Sequence, residues 1–208
     1  MSMSRSRPRT EPPEIRRQAI LDAARSVLIQ KGYQDIRIDD VAGKAKIAKG
    51  TLYLYFKDKE DIFAAVLEDV IDRLEARLKA LPAQGSARDV LSRLAAEMLD
   101  FVDENQDFLI QFSREKPNLC GAHAGTALQK RFAGHLRFVR DRIAQCVKEG
   151  NVREHDPMFG SLFFISLVRM FMLQKIMGLA KGPLRPKADQ LMELFFHGLG
   201  GKKAKPHA

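Results

Sequence analysis

Apolar residues recur at intervals of three and four along most of the chain, and this spacing constrains the fold more than any other feature. Breaks at "LPAQGS", "KPNLCG", "EGNVREHDP" and "AKGPLRP" interrupt the pattern. The apolar stripes predict helices near residues 13–31, 59–80, 86–104, 106–114, 123–150, 157–179 and 187–199, with two shorter helices between residues 38 and 56. We therefore predict an all-α protein with about nine helices.

The composition suits a globular chain that folds without covalent cross-links. Its 208 residues are 45% hydrophobic, which is enough to bury a core. The cysteines, Cys120 and Cys146, are too few for a disulfide framework and too far apart for a metal knuckle. A reducing, cytoplasmic location fits this usage best.

Positive charge is concentrated at the N-terminus. Residues 1–60 contain 13 Lys and Arg against 8 Asp and Glu, whereas residues 61–201 contain 19 against 18. A basic module beside a nearly neutral body is typical of nucleic-acid binding, because clustered cations release counterions from phosphates. Charge alone leaves an ordinary solvated surface about equally open.

No segment reads as an export signal or a membrane span. Arg5, Arg7 and Arg9 are followed by Glu11 and prolines where a secretory signal needs apolar residues. The most apolar stretch, residues 157–179, is interrupted by two cations. Its length and charges predict a buried helix and no membrane contact.

The segment "KIAKGTLYLYFKDKEDIF" follows a short helix and a break, which is the helix-turn-helix arrangement that can read a duplex. Leu52 and Phe56 lie four apart and are predicted to face inward. Amines and hydroxyls on the remaining faces suit phosphate and base contacts, and Gly50 lets the backbone approach. Helical spacing leaves open that either Tyr53 or Tyr55 is an ordinary core aromatic.

The run "AILDAARSVLIQKGYQDIRIDDVAGKAKIAKGTLYLYFKDKEDIF" resembles the N-terminal DNA-binding domain of the TetR (tetracycline-repressor) family. The resemblance implies an all-helical fold in which this domain joins a bundle that binds an effector and dimerises. Carried over by position and charge, the residues expected at the DNA are Arg37, Lys46, Lys49, Gly50, Thr51, Tyr53, Tyr55, Lys57 and Lys59.

Three positions depart from the family pattern. Arg37 stands where Ser or Thr is common, Lys46 where the turn usually carries Gly, and Ala48 where Ser is common. Lysine at the turn must adopt the backbone shape of glycine at some cost in strain.

The resemblance and the pattern together divide the chain into four parts. We expect a flexible basic arm at 1–11, a helix-turn-helix DNA-binding domain at 12–60, an effector-binding and dimerisation domain at 61–201, and a basic C-terminal tail at 202–208. The expected function is sequence-specific transcriptional regulation, as a ligand-responsive homodimeric repressor on a palindromic operator. The alternatives are a helical ligand- or protein-binding module and a non-specific architectural DNA binder.

The two closing helices are the expected dimer interface. Its predicted residues are Leu162, Phe163, Met170, Leu191, Leu194 and Phe195, although the same residues could fill a monomer core.

The effector site is predicted more loosely. Arg114 at a helix end and Arg169 within the most apolar segment are the main clues, because an unpaired buried cation implies an anionic partner. That partner would be an acidic ligand with an apolar tail, such as a fatty acid or acyl thioester. A carboxylate such as Glu193, or a residue of a second subunit, could serve the arginines equally well, and an aromatic cation or neutral inducer is the competing ligand class. The full predicted lining is Phe101, Phe108, Phe112, Arg114, Phe132, Leu136, Phe164, Val168, Arg169 and Phe171.

No enzyme, metal or cofactor site is predicted. The sequence contains no phosphate loop, nucleophile elbow or convergent carboxylate pair. Glu193 and His197 lie four apart, but two potential ligands on one helix favour a structural or exposed pair over a metal site. Cys120 in a loop could be oxidised, which is the less favoured reading.

Overall fold

A computed structural model describes residues 12–119, 124–149 and 156–197; the side chains of 114–119 and 124–132 fall outside the described set. The described residues contain no β-strand and form nine α-helices and one 3₁₀ helix, Arg185–Lys187. The α-helices are α1 Pro13–Asp35, α2 Ile38–Lys44, α3 Lys49–Tyr53, α4 Lys59–Ala80, α5 Ala87–Glu104, α6 Gln106–Leu119, α7 Ala124–Lys148, α8 Pro157–Ile176 and α9 Ala188–His197. The all-α prediction is confirmed. The predicted arm and tail lie outside the described residues.

The helix ends follow local chemistry that the sequence carries. Gly32 has a φ of 77° and interrupts α1 where the sequence predicts its stop. At α4 the Asp58 carboxylate accepts from the Asp61 amide at 2.7 Å, while Asp61 accepts from the Lys57 amide at 3.0 Å. The predicted Asp58 cap is confirmed, with its reciprocal bond displaced by one residue.

One predicted helix end is wrong. The sequence places the end of the sixth helix near residue 114, ahead of Pro117, but α6 continues to Leu119. A proline in the last turn removes one backbone donor and leaves the preceding turns intact, so it does not have to stop the helix.

The chain groups into two units that divide within α4, one up to Asp69 and the other from Val70. The first unit contains α1, α2, α3 and the N-terminal turns of α4, and its core includes Ile20, Leu28, Leu52 and Phe63. The predicted boundary at residue 60 lies in the first turn of α4, and as a functional division it stays a prediction.

The second unit is built around one apolar core. Leu91, Leu94, Val139 and Phe164 are among its fully enclosed members. On the α4 side of this unit the Arg77 guanidinium bonds Glu97 and Glu104, and it lies 5.5 Å from the ring centre of Phe101.

Helix α8 departs from the sequence prediction of a buried helix. One face is buried through residues such as Phe164, Val168 and Phe171, but the opposite face exposes Phe159, Leu162, Phe163, Met170 and Leu173. Among the described residues it is the one helix long and apolar enough to cross a membrane by length and composition, and 28% of the relevant window is buried within the chain. The sequence did not predict the exposed face, because a helix that is apolar all round gives no periodic signal for which face is covered.

The predicted dimer residues separate into two groups. Leu162, Phe163 and Met170 on α8 are exposed. On α9, Leu191 is fully enclosed and Phe195 is 8% exposed, and both fill the core of the unit, while Leu194 is half-buried. The enclosed pair is therefore unavailable for direct contact with a second chain.

His135 on α7 supplies a pH-dependent element in the second unit. Burial lowers its pKa below the ordinary 6.5, and the smaller opposing influence is the charge of Glu75. The folded state therefore favours the neutral imidazole, whereas the unfolded chain protonates at the ordinary pKa. Stability from this group is complete above about pH 6.5 and is lost as the pH falls below that value.

We expect the melting temperature of the wild type to fall between pH 7.5 and 5.5 more steeply than that of His135→Gln. Thermal unfolding followed by circular dichroism at three pH values measures the slopes. The exposed residue His197 provides the matched control, and His197→Gln should keep the wild-type slope. Equal slopes for wild type and His135→Gln would contradict the assignment.

Candidate functional site

The five-residue helix α3 is held by two buried side chains. Leu52 is 0% exposed and Phe56, just beyond the helix, is 2% exposed, so the predicted inward placement of both is confirmed. Backbone bonds extend the turns past Tyr53, since the Phe56 amide donates to the Leu52 carbonyl at 3.1 Å. The Arg17 guanidinium covers the Phe56 ring at 5.4 Å. This burial fixes which face of α3 looks outward.

The turn between α2 and α3 is closed by a paired bond motif. The Ile47 amide donates to the Ala42 carbonyl at 3.0 Å, and the Lys46 amide donates to the Gly43 carbonyl at 3.2 Å. This is the Schellman pattern, which needs a left-handed residue directly after the helix cap. Lys46 occupies that place with a φ of 56°, and it is the one positive-φ residue other than glycine in the described chain. The strained lysine predicted from the sequence is confirmed.

The predicted DNA-contacting residues fall into two exposure groups. Exposed are Arg37, Lys46, Lys49, Gly50, Tyr53 and Lys57; half-buried are Thr51, Tyr55 and Lys59.

Lys49, the first residue of α3, is paired within the unit. Its ammonium lies 3.0 Å from the Asp39 carboxylate on α2, and both side chains are largely exposed. The hydrogen bond to Asp39 raises the pKa of Lys49, so the amine is charged at neutral pH. An exposed pair of this kind contributes little to stability and is open to exchange for a phosphate.

Lys59 is engaged differently from the other cations. Its ammonium donates to the Gln34 carbonyl at 3.0 Å and lies 4.4 Å from the ring centre of Tyr33. The Tyr33 hydroxyl in turn donates to Glu60 at 3.0 Å. These contacts join the start of α4 to the end of α1, so Lys59 helps to assemble the first unit.

The start of α2 is capped without the hydroxyl common at this place. The Arg37 guanidinium cannot accept a hydrogen bond, and the Asp40 carboxylate instead accepts from the Arg37 amide at 3.0 Å. Lys31 also binds Asp40, at 2.7 Å, and is the larger cause of the lowered pKa of that carboxyl. The Arg37 side chain is exposed as a result.

Two features of this surface escaped the sequence reasoning. Leu54, next to Tyr53, is 83% exposed, and Asp39 places a carboxylate beside Lys49. The exposure of Leu54 was accessible from spacing, because a residue midway between the inward Leu52 and Phe56 lies on the other side of the helical turn. The Asp39–Lys49 pair joins α2 to α3 across the turn, and the sequence does not specify how that turn places the two side chains.

The predicted effector residues lie mainly in the core of the second unit. Phe101, Phe108, Phe164, Val168 and Phe171 are buried, and Phe112 and Leu136 are half-buried. The side chains of Arg114 and Phe132 lie outside the described residues. The structure does not single out these aromatics as a lining distinct from the core.

Arg169 requires a correction. The sequence predicts a buried cation in need of an anionic partner, but the Arg169 side chain is exposed on the outer face of α8. The enclosed cation of α8 is Lys175, whose ammonium lies 2.9 Å from Asp103 and donates to the Gly182 carbonyl at 2.6 Å. Neither residue therefore argues for an anionic ligand.

A groove of about 380 Å³ also opens between the start of α5 and the end of α7. Its lining includes Val90, Arg142, Gln145 and Glu149, and none of the predicted effector residues. The Glu149 carboxylate in its wall accepts from the first amide of α5, Ala87, at 2.7 Å.

Residues 20–66, which contain the whole α2–turn–α3 surface, match the family of bacterial regulatory proteins described as the tetR family. These residues form a DNA-binding domain of the tetR family. The chain is a DNA-binding transcription regulator. The fatty acid metabolism regulator protein of Bacillus subtilis (strain 168) is 23% identical over 190 residues, which cover 88% of this chain and 95% of that protein.

Solved structures share the fold of this chain. FadR from Bacillus subtilis in complex with stearoyl-CoA superposes with a TM-score of 0.74 at 21% identity, covering 88% of this chain and 99% of the other. FadR from Bacillus halodurans, a fatty acid degradation regulator, superposes with a TM-score of 0.78 at 18% identity, covering 93% and 100%.

The Gly50→Ala substitution tests whether the backbone of α3 approaches DNA. Among the described residues no atom lies within 4 Å of the position that a Cβ would take at Gly50. The added methyl should therefore leave the fold intact or stabilise it by about 0.5–1 kcal/mol. If the backbone meets the duplex, the same methyl should reduce operator affinity by about tenfold or more, equivalent to about 1.4 kcal/mol.

Fluorescence anisotropy with labelled duplex measures the affinity, and thermal unfolding measures the fold. Gly43 on α2 is equally open and gives the control Gly43→Ala. Wild-type affinity in Gly50→Ala would place the backbone of α3 away from the duplex.

Proposed function

We propose that this regulator acts as a homodimeric repressor in the cytoplasm, placing α3 of each subunit in successive major grooves of a palindromic operator. The observation that carries the proposal is the α2–turn–α3 surface, where burial of Leu52 and Phe56 turns cations and hydroxyls outward. A duplex presents equivalent major-groove faces about 34–36 Å apart, and two copies related by a twofold axis can meet both.

The proposed contacts differ in kind. Thr51 and Tyr53 present hydroxyls from α3 for base edges or phosphates, and Lys49 exchanges Asp39 for a phosphate. Arg37, Lys46 and Lys57 supply positioning contacts to the backbone of the duplex. Tyr55 is half-buried and contributes from the margin of the surface.

Lys59 has a supporting part in this proposal. Its ammonium is occupied by Gln34 and Tyr33, so its contribution is to hold α4 against the end of α1.

For the effector we propose an acyl thioester of coenzyme A. The support is the likeness over nearly the whole chain to a fatty acid metabolism regulator, and to a structure that contains stearoyl-CoA. The second unit offers apolar side chains at which an acyl tail could insert, including Phe101, Phe108 and Phe164. Because these are packed in the described state, ligand entry requires rearrangement, and an effector acts by favouring a conformation that binds DNA poorly.

The first test is selection of bound duplexes from a random pool at physiological salt. One enriched palindromic motif, with preference maintained as salt rises, is the expected result. Affinity that falls steeply and equally for all sequences would indicate a purely electrostatic binder instead.

The second test titrates stearoyl-CoA into the protein–duplex complex, with free coenzyme A and stearate below its micellar concentration as controls. Release by the thioester alone is expected. If operator binding stays intact under all three ligands, the acyl-thioester assignment is wrong while the DNA-binding proposal stands.

We expect Thr51→Ala and Tyr53→Phe each to weaken binding to the selected operator by about tenfold, since a hydrogen bond to a charged group contributes about 1.5–3 kcal/mol. Each melting temperature should stay near the wild-type value, because substitutions at such surfaces change stability by about 0.5 kcal/mol or less. Anisotropy and thermal unfolding provide the two readouts. A large loss of stability would show that the hydroxyl contributes to the packing of the first unit, and would contradict its placement at the DNA surface.

A further inference from the structure

The outer face of α8 carries a stripe with coiled-coil spacing. Its exposed residues are separated by four, three, four and three positions, and all but one are apolar: Phe159, Phe163, Ser166, Met170 and Leu173. Met177, the cap residue that follows the helix, is exposed four positions further on. Residues at that alternation stay on one seam of a helix that packs along another helix. Most of the stripe points away from the face that α8 buries in its own unit, while Phe163, 40% exposed, also stacks on Phe195 of α9. The exposed parts of these side chains remain available to a second chain.

One charge flanks this stripe. Arg169 lies beside Met170, seven residues after the exposed Leu162, and so follows the edge of the seam. No carboxylate of the described residues forms an ion pair with it, whereas the other cation of α8, Lys175, is held by Asp103 at 2.9 Å. Charges at the edge of a helical seam set partner choice and orientation.

A carboxylate that meets Arg169 across an interface comes from outside α8. From Pro157 to Ile176, α8 contains no Asp or Glu, so two copies of α8 cannot neutralise each other's Arg169. Helix α9 packs on α8, with the ring centres of Phe163 and Phe195 6.0 Å apart. Its Glu193 side chain is 67% exposed, and among the described residues its one basic neighbour within 4 Å is Nε2 of His197, at 3.9 Å.

We propose that Arg169 of each copy binds Glu193 of the partner subunit, and that this pair selects a second copy of this chain as the occupant of the α8 stripe. A twofold axis makes the contact twice, once in each direction. The pair adds specificity to an apolar seam that would otherwise accept other apolar surfaces. The inference rests on the proposed homodimer and names the residues that make it selective.

Charge reversal tests the pair with a built-in rescue. Arg169→Glu places two carboxylates at each contact and Glu193→Arg places two cations there, so each variant alone should dimerise at least about tenfold more weakly than wild type. Mixing the two variants restores one cation and one carboxylate at both contacts. The mixture should therefore form heterodimers with affinity within about threefold of wild type, a difference of less than about 0.7 kcal/mol.

Analytical ultracentrifugation of differently labelled variants measures both homodimers and heterodimers, with Arg137→Glu as a control at an exposed cation of α7. Unchanged melting of each variant confirms that the fold is retained. A dimeric wild type whose reversed variants dimerise normally, or whose mixture shows no preferential pairing, overturns the Arg169–Glu193 assignment and leaves the homodimer standing. A monomeric wild type overturns the homodimer itself.

Discussion

Burial of Leu52 and Phe56 is the constraint on which the rest of the DNA-binding unit depends. Five residues are far too few for an isolated helix in water, where segments shorter than about 12–15 residues are marginal. Loss of a buried phenylalanine side chain costs about 3–5 kcal/mol in proteins, more than intrinsic propensity distinguishes across a short helix. The outward surface of α3 therefore exists because its inward surface is anchored.

Much of the architecture was accessible from the sequence because the relevant signals are local. Apolar spacing located the helices, Gly32 marked the interruption of the first, and Asp58 marked the start of α4. The left-handed turn at Lys46 followed from the family resemblance. In each case a few neighbouring residues determine the backbone, so no knowledge of distant packing is needed.

The parts that could not be predicted depend on which face of a helix meets which neighbour. Arg169 and Lys175 are both cations in the same apolar helix, yet one is exposed and the other is enclosed by Asp103 and Gly182. Similarly, the spacing of Leu191 and Phe195 gave no means of separating the core of one chain from an interface between two. Because α8 is apolar on both of its faces, the spacing of its apolar residues does not indicate which face is buried.

The turn at Lys46 shows a choice between stability and charge. A residue other than glycine held at a left-handed φ gives up about 1–2 kcal/mol, and the Schellman bonds around it would accept glycine at no such cost. The first unit thus forgoes a readily available gain in folding free energy and keeps an ammonium between its two shortest helices. Most natural proteins could be stabilised further by single substitutions. Here the position of such a substitution, residue 46, lies on the surface that faces nucleic acid in the proposed complex.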